Sequence, residues 1–121
     1  MNRLLAAVVL GACFLSSPAQ LLAQAGTRPE AHWGTFTKKF SQTLCLGTAE
    51  RAMKEKGYQI LEKGGNIRIG GNRHVIVQVS CVPIDKNTTS VTVSAFSTDS
   101  KTAELARNTI REYIVKSVRF D

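Results

Sequence analysis

Arg73-His74-Val75-Ile76-Val77-Gln78-Val79-Ser80-Cys81-Val82-Pro83-Ile84 is the stretch from which the rest of the chain can be placed. Val75, Val77, Val79 and Cys81 fall on one side of an extended backbone, with His74, Gln78 and Ser80 on the other. A period of two with this many β-branched residues predicts a strand with one buried face. Such a strand belongs at the centre of a small sheet. Its inward face also carries Cys81, so whatever packs there is positioned to be bonded to it.

Downstream, Pro83 and Asp85-Lys86-Asn87 close the strand, and Thr88 to Ser97 alternates again. Val91, Val93 and Ala95 oppose Thr92, Ser94 and Phe96, and the short link makes this an antiparallel partner. Upstream, Ile67-Arg68-Ile69 reads as a short strand and Tyr58-Gln59-Ile60-Leu61 as another. They are set off by Gly64-Gly65-Asn66 and Gly70-Gly71-Asn72, two expected tight turns with positive φ. The repeated Gly-Gly-Asn is no phosphate loop, since no Gly-Lys-Ser/Thr follows it.

Helical periodicity flanks these strands. Trp33, Phe36, Phe40 and Leu44 recur at three, four and four residues, which reads as a core-facing helical stripe. Gly34 and the threonines set the start of the helix near Thr37, and Gly57 supplies its stop. Cys45, Ala49, Ala52 and Met53 share one face, and Glu50 with Lys54 reads as a surface pair. Asp99 or Ser100 caps a last helix with Ala103, Ala106, Ile110, Tyr113 and Ile114 inward, and Glu112 four before Lys116. The fold expected is an α+β two-layer sandwich. An antiparallel sheet of three or four strands carries two helices on one face, in the order α-β-β-(β)-β-α. The inward face of the central strand then meets the first helix, so Cys81 and Cys45 are expected to form a disulfide.

The ends of the chain bear on its compartment. Met1-Asn2-Arg3, an apolar run from Leu4 to Leu15 and the small residues of Ala23-Gln24-Ala25 have the layout of a secretory signal peptide. The apolar run is too short to span a bilayer, for which about 20 residues are needed. Residues 1–25 therefore read as a signal peptide, 26–36 as a loose leader and 37–121 as a single domain. A rival reading takes Leu10-Gly11-Ala12-Cys13 as a lipobox, with Cys13 lipidated and the protein anchored to the envelope. With Cys13 removed, two cysteines remain in an exported chain, and one disulfide is the simplest outcome. The chain carries a net charge of +7, which permits anionic partners without demanding them.

The run Cys45-Leu46, Ala49, Ala52-Met53 and Gly57-Tyr58, followed by Cys81 and a capped terminal helix, resembles small exported bacterial helix–sheet–helix domains of unassigned function. The resemblance implies an exported module and transfers no catalytic or binding residues.

Little in the chain points to catalysis. No Gly-x-Ser-x-Gly is present, and a nucleophilic triad needs a base, an orienting acid and an activated nucleophile together. His32 and His74 lie far apart in sequence, which gives no zinc-ligand spacing, and the acids are scattered. No catalytic residue, metal or cofactor is assigned. The sharpest binding feature is the turn that groups Arg68, Arg73 and His74, suited to phosphate or carboxylate groups. It lacks the aromatics that stack bases, which argues against nucleic acid. The function expected is a non-catalytic binding module, periplasmic or secreted, facing a protein or an anionic envelope surface. The alternatives are a small hydrolase or transferase using His74, or a lipidated envelope-assembly subunit.

Overall fold

A computed structural model describes residues 29–117. The signal-peptide segment and Cys13 lie outside the described residues. Five strands and two helices follow in the order β1 (Glu30–Lys38), α1 (Gln42–Glu55), β2 (Gln59–Lys63), β3 (Ile67–Gly71), β4 (Ile76–Asp85), β5 (Thr88–Ser97) and α2 (Ser100–Lys116). The sheet order is β1-β5-β4-β3-β2, with every neighbouring pair antiparallel. The stretch read first is the middle strand of the five. Both helices pack against one face of the sheet, so the α+β two-layer arrangement is as expected, with a longer sheet.

The core lies between the layers. Val77, Val79, Cys81, Val91, Val93 and Ala95 point inward from β4 and β5. They meet Cys45, Ala49, Ala52 and Met53 of α1, and Ala103, Ile110 and Ile114 of α2. Small residues on the helices let them lie close to a sheet of valines, and Phe40, Met53, Ile110 and Ile114 fill the remaining space. Cys45 and Cys81 are bonded across the layers, with Cα atoms 6.2 Å apart. The helices begin where the sequence provides an acceptor. Ser41 Oγ takes the Leu44 amide at 3.2 Å, and Asp99 takes the Thr102 amide at 3.0 Å. Gly57, at φ 77°, ends α1 in the left-handed region.

The main departure from the sequence reading is β1. Residues from Glu30 onward are a strand where a loose leader and then a helical stripe were expected. The three-four-four spacing of Trp33, Phe36, Phe40 and Leu44 is accidental: Phe36 turns in, Trp33 turns out, and α1 starts only at Gln42. The inward positions of β1 are His32, Gly34, Phe36 and Lys38, which do not announce a buried strand face. They suit the cationic flank of α2. Arg107 Nη1 donates to the Trp33 carbonyl at 3.1 Å, and the Arg111 guanidinium lies 5.2 Å from the centre of the Phe36 ring. Lys38 Nζ reaches the last turn of α2 and donates to the carbonyls of Ile114, Val115 and Ser117 at 2.6–2.9 Å. A cation placed on free carbonyls at a helix C-terminus satisfies them and opposes the helix dipole.

Two smaller corrections concern the β2–β3–β4 edge. β3 runs on through Gly70 and Gly71, and neither glycine has positive φ. The turn is Asn72 to Val75 instead, organised by Asn72 Oδ1, which accepts the amides of His74 at 2.8 Å and Val75 at 3.0 Å. Glu50 pairs across the layers with Lys63 at 3.0 Å and Arg68 at 2.9 Å, rather than with Lys54 along its own helix.

Candidate binding face

With both helices on one side, the other side of the sheet is open to solvent. Its residues follow from the register. One cross-strand row runs Ala31, Phe96, Ile76, Gly71 and Gln59, and the next Trp33, Ser94, Gln78, Ile69 and Glu62. A third runs Thr35, Thr92, Ser80 and Ile67, and a fourth Thr37, Ser90 and Val82. Across these four rows the only charged residue is Glu62, on the edge strand β2. In a chain with 21% charged residues, that is an unusual stretch of surface. Trp33 is 68% exposed on it, with Phe96 and Ile76 partly exposed in the neighbouring row. Single exposed apolar residues are ordinary, whereas a contiguous face with one charge at its edge and an exposed tryptophan is a candidate interaction surface. Its polar members are hydroxyls and amides, which cost less to cover than charges do. Thr35 and Thr92 already hydrogen-bond one another at 3.0 Å.

The residues singled out from the sequence divide around this face. Arg73 and His74 sit in the β3–β4 turn at one end of it. With Pro29, Val75, Ile76, Phe96, Ser97 and Thr98 they line a shallow hollow of about 410 Å³. Arg73 Nε donates to His74 Nε2 at 3.2 Å, and Ser97 Oγ donates to the His74 carbonyl at 2.6 Å, which ties the turn to the end of β5. Arg68 does not join them. Its partner across the ladder is Val79, on the helix side of the sheet, and its side chain is only 17% exposed. Nε donates to Glu50, and Nη1 donates to the carbonyls of Gly64 at 2.7 Å and Ile67 at 2.8 Å. Arg68 is thus engaged in holding β3 to α1.

His32 lies on β1 with Nε2 2.9 Å from Ser100 Oγ, near the start of α2. Among the described residues, no three of His, Cys, Asp and Glu come together as a metal-binding group, and no helix is long and apolar enough to cross a membrane. Between the helices, a second hollow of about 710 Å³ has Leu44 and Tyr113 on its floor and Arg51, Lys56, Lys116 and Glu112 around it. Lys116 is paired with Glu112 at 2.6 Å, and Arg51 donates to Thr48 Oγ1 at 3.0 Å. The cations there are partly committed to the helix surface.

No protein-family model matches the chain, and no curated protein is significantly similar to it. The open face is hidden in the sequence because the spacing of Trp33, Phe36 and Phe40 reads as helix and conceals β1, the strand that carries the face's most exposed large apolar side chain. The alternation of Thr35 and Thr37 with Gly34, Phe36 and Lys38 was the signal for a strand.

Proposed function

We propose that the protein is a non-catalytic binding module that works outside the cytoplasm, in the periplasm or as a secreted protein, and docks a protein partner through its open sheet face. The observation carrying this reading is Trp33, largely exposed within a face whose one charge, Glu62, lies at its edge. Burying a tryptophan of this kind at an interface is worth several kcal/mol in favourable cases, and such residues are enriched among binding hot spots. The Cys45–Cys81 bridge supports a compartment where thiols are oxidised. Arg73 and His74, at one end of the face, offer an anchoring point for an anionic group of the partner. If Cys13 is lipidated, the same module works while tethered to an envelope surface.

Site-specific photocrosslinking in the native host tests the reading. A photoreactive residue at position 33 is expected to give a discrete protein adduct. The same residue at position 105 should give none, because Leu105 is exposed on α2, in the helix layer. Adducts from position 105 alone, or from neither position, would overturn it.

A further inference from the structure

We infer that the occupant of the open sheet face is a second copy of this chain, the two sheets packing face to face in a symmetric dimer. The inference rests on that face being the docking surface, and it names the partner. Charge is the first argument. Two copies of a chain of net charge +7 repel one another, and most approaches bring cations together. α2 carries Lys101, Arg107, Arg111 and Lys116 against Glu104 and Glu112, and this excess of cations makes that flank unsuitable for self-contact. The open face holds only Glu62, at its edge, so two copies can meet there without burying like charges. A face shaped for a partner of opposite charge would instead carry cations within it.

Symmetry is the second argument. A two-fold contact presents the same patch from both sides, so the patch must complement itself. Rows of threonine, serine and apolar side chains do so, because hydroxyls both donate and accept and apolar groups have no preferred partner chemistry. Trp33 lies on the flanking strand β1, so a two-fold axis running along the strands sets one copy's indole towards one side of the contact and its mate's towards the other.

Area is the third. The seventeen positions of the four rows, each covering about 4.8 Å by about 6.7 Å, present about 550 Å² per copy, or about 1,100 Å² for the pair. That clears the roughly 1,000 Å² that a specific interface needs. The product is a four-layer α/β/β/α assembly with the two sheets about 10 Å apart.

Sedimentation equilibrium on the full chain purified from its host tests the dimer directly. The expected mass is twice that of the chain at micromolar concentration. Trp33→Asp removes the indole from both copies and should weaken association by at least about 30-fold in Kd, the value for a single tryptophan hot spot, with an unchanged circular dichroism spectrum. Leu105→Asp should leave the dimer intact. Raising salt from about 50 mM to about 500 mM should tighten association, because it screens the repulsion between copies while the contact itself holds no ion pair. A monomeric chain, or a dimer indifferent to Trp33→Asp, overturns the inference. If the chain is monomeric while position 33 still crosslinks to a different protein in the host, only the inference falls. With no adduct from position 33, the binding-face reading falls as well.

Discussion

Gly71 shows how much a single missing side chain can decide. A Cβ built there would press on the Val75 carbonyl and lie 3.1 Å from Ile76 Cα, both backbone atoms of the hairpin it belongs to. The β3–β4 turn closes tightly because position 71 is bare, and left-handed φ has no part in it. Gly71→Ala is therefore expected to cost about 1–3 kcal/mol, as overpacking does, read from the denaturant midpoint. Gly65→Ala is the control: nothing lies within 4 Å of its added Cβ and its φ is ordinary, so stability should hold or rise slightly. Glu50 is the other residue with consequences out of proportion to its size. The Lys63 hydrogen bond, with Arg68 assisting and burial opposing, holds its carboxyl below the ordinary value of 4.5. A carboxyl whose folded pKa lies below its unfolded one contributes its full stability above the unfolded value and loses it as pH falls through the folded value. Acidification from about pH 6 to about pH 3 should thus lower the denaturation midpoint more in the native chain than in Glu50→Gln. Asp99 and Glu112 also have lowered carboxyl pKa values, through hydrogen bonds from Thr102 and Lys116 respectively. The glutamine variant should therefore keep part of its acid sensitivity. Equal acid sensitivity in the two proteins would show that the Glu50 cluster contributes nothing.

Among the elements, β2 to β5 were legible and the edge strand β1 was not. β4 and β5 alternate valine with polar residues because most of their inward positions meet apolar helix surface. On β1 only Phe36 packs on the core; His32 meets Ser100, Gly34 lies beside Arg107 and Lys38 reaches the carbonyls that end α2, so the alternation carries little hydrophobic signal. The same physics hid part of the candidate site. Arg68 reads from sequence as one of three cations at a turn, yet strand register turns it to the helix side, where Glu50 takes it. Cys45 and Cys81 were legible because each falls on an inward face and the layers must bring those faces together. Their bond joins α1 to β4 at the centre of the core, and both residues are fully buried. Replacing both with alanine should lower stability by about 3–4 kcal/mol, the chain-entropy value for a loop of this length. A denaturation series on the oxidised native chain and the double variant checks it, and coincident curves would show that the bridge adds no stability.

On the scale of the whole molecule, charge and apolar surface are segregated. Cations sit along the helix layer and in the turns, while the open face of the sheet is nearly free of them. That division was beyond the sequence alone, because it depends on which way each strand of a five-stranded register faces. It also lets the basic character and the proposed docking surface serve separate ends: net charge keeps copies apart in solution at every face but one.

The bridge has a further consequence, concerning survival. Between Cys45 and Cys81 the chain passes through the rest of α1, all of β2 and β3, and the exposed Gly65-Asn66 bend, before returning through half of β4. A protease that cuts this bend, the kind of accessible tip where nicking concentrates, frees no fragment. The two pieces stay bonded at the centre of the core and remain hydrogen-bonded through the sheet. In a surrounding rich in peptidases, one cut would leave a nicked but assembled molecule, and the break would show on a gel only after reduction.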